Sequence, residues 1–260
     1  CKRGRGSVGS SSGVARIYEG NPAIDRLLHL DAGGQPVGPL GLARVLRRER
    51  YDAAFLLQRA FEAAFVAFAA RIPVRIGYDS DHRRLLLTHP VKERWKIRTT
   101  SQHQADYYLE LLEKTFGPHP GKFPMHIGRK DEDRRSLATV AAARGLDVER
   151  PYALLAPGSS QGEAKRWDVE RWRSLVERLR AEESGLALAL AGSPDDAPLC
   201  AQIGEGLGVC DFSGRTGLGE LIELTAAARL VVTIDSGNAH LAAALGVPLV
   251  ALFGSTNPAA

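Results

Sequence analysis

Leu230-Val231-Val232-Thr233-Ile234-Asp235-Ser236-Gly237-Asn238-Ala239-His240-Leu241-Ala242-Ala243-Ala244-Leu245-Gly246-Val247-Pro248-Leu249-Val250-Ala251-Leu252-Phe253-Gly254 is the stretch whose reading decides the fold. The β-branched run Val231 to Ile234 has the length and composition of a strand buried on both faces. A polar turn follows, with Ser236 as N-cap. A short helix comes next, closed by Gly246 with Val247-Pro248 behind it. The apolar run Leu249 to Phe253 is the second strand. This is a βαβ unit with its polar residues at the carboxyl end of the first strand. Ligands of open α/β sheets bind there, and a helix N-terminus at that place favours an anion.

Outward from this unit, the second half repeats the pattern. Tyr152-Ala153-Leu154-Leu155-Ala156 reads as a buried strand, followed by the loop Pro157 to Trp167. Asp168 is positioned to cap a helix to about Glu183, with Glu170 in its first turn. A strand at Leu186 to Leu190, a helix from Ala197 to Gly206, the stretch Val209 to Ser213 and a helix from Leu218 to Ala228 complete the half.

The first half carries the same arithmetic more faintly. Pro39 to Arg50 spaces Leu42, Val45 and Leu46 for one helix face. Tyr51 to Leu57 is a strand, Phe61 to Ala70 a buried helix and Ile72 to Tyr78 the returning strand, a Rossmann-like half. Gly13 to Tyr18 and Ile24 to Asp31 read as short strands. Asp79 to Lys96 reads as irregular, His103 to Phe116 as an amphipathic helix and Gly117 to Pro124 as the start of a linker-like region. A charged helix spans about Asp131 to Arg144. The domain boundary is placed between residues 149 and 150, giving an N-terminal Rossmann-like domain over 1–149 and a C-terminal one over 150–260.

Composition narrows the class. The chain of 260 residues is 44% hydrophobic and 25% charged, as soluble globular proteins are. No apolar run approaches the ~20 residues that span a bilayer. Cys1, Cys200 and Cys210 have no metal-ligand spacing and are too few for a disulfide framework, which makes a cytoplasmic compartment the default. A net charge of +4 suits a phosphate-bearing ligand or an anionic membrane surface. The basic residues are scattered and aromatic residues are few, which does not point to nucleic acid. The chain starts at a cysteine within a basic tail and stops just after a strand and turn, and it reads as truncated at both ends.

Candidate site residues cluster in the second half. Gly158-Ser159-Ser160 and Asp235-Ser236-Gly237 each follow a strand and precede a helix, so two turns can converge on one phosphate. Singly, each is equally an ordinary N-cap; together they favour a ligand. Lys165 ends a glycine-containing loop, where an ammonium suits the charge of a departing diphosphate; a solvated loop charge is the competing view. His240, one turn after Ser236, can donate to a phosphate oxygen, orient Asp235 or be satisfied by a carbonyl. Asp235 repels a diphosphate, and is left to cap the helix, hold His240 or accept from a ribose hydroxyl. Trp167 is expected to pack under the loop. The adjacent carboxylates Asp195 and Asp196 diverge and read as unremarkable. No Walker motif is present and no GxGxxG follows a strand. No HxxxH pair argues for a metal, and Asp79 and Asp81 read as solvated. No metal and no cofactor is expected.

These motifs resemble glycosyltransferase family 9, the ADP-heptose:lipopolysaccharide heptosyltransferases. Pro157-Gly158-Ser159-Ser160 through Ala164-Lys165-Arg166-Trp167 resembles the family's PGA…AKRW segment. Asp235-Ser236-Gly237 with His240 and then Pro248 to Gly254 resembles its DSGxxHxAAAxxxPxVALFG block. Ser213 to Leu218 resembles its GxTxL turn. The likeness covers most of residues 40–258, is most specific in the second half, and is strongest to heptosyltransferase II members. It implies a GT-B fold, two Rossmann-like domains facing across a cleft. It also implies inverting transfer of heptose from ADP-heptose to the lipopolysaccharide inner core, a lipid-linked acceptor, with peripheral contact at the inner face of the inner membrane. Carried over residue by residue, Ser159, Ser160 and Lys165 would contact the diphosphate or sugar. Asp235, Ser236, Gly237 and His240 would bind phosphates and heptose, and Thr216, Gly217 and Leu218 would border the adenine. The family's general base is an aspartate in a GD segment after the first strand. No such segment is found here, and that aspartate is expected upstream of residue 1. Two rivals remain: a catalytically silent sugar-nucleotide-binding relative, and a GT-B-like enzyme such as a sugar-nucleotide epimerase.

Overall fold

The computed structural model describes residues 6–10, 12–32, 35–93, 104–118, 125–159 and 165–254. The chain divides into two compact units, with breaks after Leu28 and before Pro124. The smaller holds the described residues inside that interval, and the larger holds those on either side.

The larger unit is built on a five-stranded parallel sheet. Its spatial order is Cys210–Asp211, Ala187–Leu190, Tyr152–Ala156, Leu230–Ile234, Leu249–Leu252. Tyr152–Ala156 is therefore central, pairing Leu154 with both Ala189 and Val231. All five of its residues are buried, as befits a strand covered on both faces. Period-two alternation sorts its side chains into two cores. Tyr152 and Leu154 join Leu137, Ala141, Leu224 and Ala242 on one face. Ala153 and Leu155 join Trp172, Val176, Cys200 and Ile203 on the other. Helices thus cover both faces: Asp131–Ala142, Leu218–Ala227 and Gly237–Leu245 on the first, Val169–Glu182 and Ala197–Gly204 on the second.

This strand order fixes the site. The chain leaves Tyr152–Ala156 toward one side of the sheet and leaves Leu230–Ile234 toward the other. Between their carboxyl ends the connecting helices diverge to opposite faces and open a crevice, the topological switch point.

Three local expectations change in the larger unit. Gly13 to Tyr18, read as a strand, lies within the helix Ser12–Tyr18. A run of six residues has too short a period to separate the two forms, and tertiary partners choose. The helix buries Ala15 and turns the Arg16 guanidinium onto Asp133 (Nε to Oδ2, 2.7 Å) and the Gly128 carbonyl (2.9 Å). Helix Asp131–Ala142, placed before the expected boundary at 149/150, contributes Leu137 and Ala141 to the core of the larger unit. These residues, four apart on one face, need an apolar partner, and the Tyr152/Leu154 face supplies it. The break before Pro124 falls instead at the end of the linker-like segment. Finally, Asp168 holds the N-cap position of Val169–Glu182, but its side chain makes no capping bond and instead lies 3.4 Å from Arg171.

The smaller unit has a three-stranded parallel sheet ordered Ala53–Leu56, Val74–Tyr78, His89–Val91. The third strand lies in the stretch read as irregular. Its sequence, His-Pro-Val, carries little strand signal, and pairing with Ile76 to Tyr78 imposes it. Helices Pro39–Glu49 and Phe61–Ala69 pack through Ala43, Val66 and Ala67. Helix Gln104–Phe116 packs Tyr107 and Leu111 against Tyr78. Among the described residues no helix is long and apolar enough to cross a membrane.

Candidate functional site

The two central strands are tied together where they end. Thr233 is fully buried, and its hydroxyl donates to the Ala156 carbonyl across the strand pair at 2.9 Å. The same oxygen lies 3.2 Å from the Ser236 hydroxyl. The Asp235 amide donates to Leu252 (3.1 Å), carrying the ladder one residue past the strand. This small polar lattice fixes Asp235-Ser236 beside Pro157-Gly158-Ser159. Ser236 sits at the N-cap of Gly237–Leu245 with extended backbone (φ −152°, ψ 176°), but its side chain makes no capping bond, being turned to Thr233. The amides of the first helical turn are therefore not consumed by a side-chain cap, and with the helix dipole they favour an anion. At the other end Gly246 takes φ 71°, the left-handed C-cap the sequence calls for.

Lys165 is not a solvated loop charge. Its ammonium donates to Asp235 Oδ2 at 2.7 Å, with both side chains largely buried (16% and 21% exposed). Asp235, for which the sequence left capping the helix, holding His240 or accepting from a ribose hydroxyl, here accepts from Lys165. His240 is exposed, and among the described residues it has no hydrogen-bond partner. The pairing resolves the electrostatic difficulty of a carboxylate beside an anion site. Asp235 spends its charge positioning a cation, and an ammonium with three donors has two left for a ligand. Ser159 is 8% exposed at the end of the neighbouring strand. Ser160 lies outside the described residues. Trp167 packs on Trp172 of helix Val169–Glu182 edge to face at 5.2 Å.

Asp196 is the residue that sequence reasoning missed. Its carboxylate is buried and accepts from the Ser193 amide (3.0 Å) and hydroxyl (2.6 Å), with Arg166 at 3.6 Å on its other oxygen. It lies so close to the Gly158 Cα that a Cβ at Gly158 would overlap it. The glycine of Pro-Gly-Ser is thus required by a neighbouring carboxylate. The available signal was Ser193-Pro194-Asp195-Asp196, a serine three residues before an acid, which is a capping box.

The turn after Cys210–Asp211 joins the same edge. Gly214 has φ 65° and places its Cα beside Pro194, where a Cβ would come within 2.9 Å, and its amide donates to Gly192 (2.9 Å). Gly217 is the N-cap of Leu218–Ala227 in extended backbone, with Thr216 before it and Leu218 after. Ser159, Lys165, Asp235, Ser236 and Gly237 thus meet at the switch point. Thr216, Gly217 and Leu218 lie at the start of helix Leu218–Ala227, after the edge strand Cys210–Asp211, which Ala187–Leu190 separates from the central strand, and His240 stands one turn along Gly237–Leu245.

Comparison with known proteins converges on one family. The profile of glycosyltransferase family 9 (heptosyltransferase) matches residues 40–260. The chain is 34% identical over 227 residues to lipooligosaccharide heptosyltransferase 2 of Haemophilus ducreyi, covering 81% of this chain and 63% of that protein. It is 32% identical over 255 residues to lipooligosaccharide heptosyltransferase 2 of Haemophilus influenzae, covering 94% and 72%. Among solved structures, the E. coli ADP-heptose LPS heptosyltransferase II superposes with a TM-score of 0.78 at 26% identity, covering 97% of this chain and 76% of that one. The chain therefore spans about two thirds of the length of the curated relatives it matches.

Proposed function

Because this chain belongs to glycosyltransferase family 9, we propose that it serves the transfer of heptose from ADP-heptose to the lipopolysaccharide inner core, with inversion. The observation that carries the reading is the Lys165–Asp235 pair at the switch point, beside the N-terminus of Gly237–Leu245. In an inverting transfer an acceptor hydroxyl attacks the anomeric carbon while the bond to the diphosphate breaks, and the developing charge accumulates on the leaving phosphate. Lys165 offers that charge a positioned ammonium, and the helix amides offer donors that need no reorganisation. Asp235 keeps Lys165 oriented before the donor arrives. Ser159, Ser160, Ser236 and Gly237 complete the phosphate cradle, His240 reaches the outer phosphate or the heptose, and Thr216, Gly217 and Leu218 border the adenine. No residue is assigned as general base. The acceptor is lipid-linked, and we place the work of the enzyme at the cytoplasmic face of the inner membrane.

The test is transfer of labelled heptose from ADP-heptose to core lipopolysaccharide lacking its heptose, by the chain extended upstream through the aspartate expected there, with UDP- and GDP-sugars in parallel. Label should enter the lipid acceptor from ADP-heptose alone. Equal transfer from a UDP-sugar, or sugar-nucleotide epimerisation without acceptor, would contradict the reading.

A further inference from the structure

The geometry points to Asp133 and Arg16 as positioning residues for the adenine end of the donor site, acting through the first turns of helix Leu218–Ala227. That helix is docked along one side by polar contacts. Gly219 is buried against the Asp133 carboxylate, so closely that a Cβ at Gly219 would overlap it. Glu220 accepts from the Ser136 hydroxyl at 2.7 Å, and its other carboxylate oxygen lies 2.8 Å from where a Cβ of Gly217 would stand. Glu223, 2% exposed, is held by the Arg129 guanidinium, whose Nε lies 3.1 Å from both carboxylate oxygens. Asp133 is gripped in turn by Arg16 of helix Ser12–Tyr18. The Arg16 Nε donates to Asp133 Oδ2 at 2.7 Å, Nη2 bonds the same oxygen, and Nη1 donates to the Gly128 carbonyl at 2.9 Å. The two side chains are only 12% and 17% exposed.

Apolar packing alone would hold this helix on the sheet, and Leu221 and Leu224 already supply it. Taking charges out of water is costly, and well-packed apolar residues stabilise as much or more; the best-attested use of such pairs is to fix register. Directional contacts at Gly219, Glu220 and Glu223 set both the rotation of the helix and its position along its own axis. They thereby set the turn that leads into it. Gly217 holds the N-cap position with no side-chain capping bond, so the place of Thr216-Gly217-Leu218 follows that of the helix. A hydrogen bond of about 2.9 Å is lost at about 3.6 Å, so a border that reads a base tolerates little drift. Arg16 fixes the Asp133 carboxylate, and Asp133 fixes how closely Gly219 approaches. A residue 117 positions before Asp133 in the chain thus takes part in nucleotide selection. The inference rests on the adenine border proposed above, and it names the residues that hold that border in place without touching the ligand.

The experiment is calorimetric titration of the chain with ADP, UDP and inorganic pyrophosphate, on wild type, Asp133→Asn, Arg16→Gln and the double variant. Asp133→Asn keeps the shape that meets Gly219 and removes the charge that Arg16 grips. Wild type should prefer ADP to UDP. Each single variant should weaken ADP roughly 3- to 10-fold, about the worth of one hydrogen bond. The double variant should lose no more than either single, because both substitutions remove the same pair. Pyrophosphate fills the phosphate crevice without reaching the turn, so every variant should bind it as wild type does, which also reports that the variant is folded. Arg16→Lys, which keeps the charge but not the two-nitrogen grip, should fall between wild type and Arg16→Gln. Equal losses of ADP and pyrophosphate would show that the pair serves the fold at large and would overturn the inference. So would unchanged ADP affinity in the folded variants, or losses that add in the double variant. Wild type binding ADP and UDP alike would remove the adenine reading itself, and the inference with it.

Discussion

Removing the Lys165 ammonium separates what the switch-point pair does for the fold from what it does for the ligand. Exposed ion pairs contribute about 0–1 kcal/mol, and breaking fully buried ones costs ~3–5 kcal/mol. The Lys165–Asp235 pair, 2.7 Å long with side chains 16% and 21% exposed, stands between. After Lys165→Ala, Asp235 keeps the N-terminus of Gly237–Leu245 nearby, which returns roughly 0.3–1 kcal/mol of charge stabilisation. The net loss should be ~1–2 kcal/mol, or about 2–8 °C in the melting temperature of a unit this size. Adding Asp235→Asn removes the charge that Lys165 had balanced and should recover roughly half of that. Donor affinity should behave differently. The single variant loses a charge-assisted bond to the diphosphate, about 1–3 kcal/mol or roughly 5- to 150-fold in Kd, and the double variant should not regain it. Calorimetric titration with ADP alongside thermal melts reads both. Wild-type ADP affinity in the double variant would show that Lys165 serves the fold alone, and the reasoning would fail.

Further outcomes are fixed by individual contacts. Gly158→Ala should destabilise the protein by about 2–3 kcal/mol, because its Cβ displaces the buried Asp196 carboxylate, and Asp196→Ala should relieve most of that loss in chemical denaturation. His240→Ala, on an exposed side chain, should change stability by less than about 0.5 kcal/mol yet weaken ADP-heptose by ~1–3 kcal/mol; a stability loss with unchanged affinity would reverse its role. Burial pushes the Cys200 thiol up to about 12 from an ordinary 9.0, so folding favours the protonated form. Its contribution is therefore complete below the unfolded value and lost as pH rises from 9.0 toward 12. Alkylation of native protein near neutral pH should spare Cys200 and reach it only on unfolding.

How far the sequence could be read follows from where each signal resides. The Val231 to Ile234 and Tyr152 to Ala156 strands were legible because a strand buried on both faces must be apolar throughout, whatever packs on it. Gly246 was legible because its left-handed cap is a backbone requirement carried by one residue. Ser159, Lys165 and Asp235 were picked out individually, and their convergence followed from strand order. The pairing of Lys165 with Asp235 was not legible: 70 residues separate them, and no local rule says which of several partners a carboxylate takes. Asp196 was passed over because adjacent acids normally diverge; only the close approach of Gly158 makes its position special. Gly13 to Tyr18 and His89 to Val91 are short segments whose conformation is set by Asp133 and by Val74–Tyr78, residues remote in sequence. Helix Asp131–Ala142 precedes the first strand of the sheet it covers, so chain order alone assigned it to the wrong neighbour.

The central claim is that the crevice between Ser159 and Asp235-Ser236-Gly237 holds the diphosphate of an adenine nucleotide. Thermal melts of the chain with ADP, UDP and GDP test it most directly. ADP at about 100 times its Kd should stabilise the native state by ~2.7 kcal/mol, while UDP and GDP at the same concentration leave the melt close to that of the free protein. An unchanged melt with ADP, or an equal shift with all three nucleotides, would contradict it.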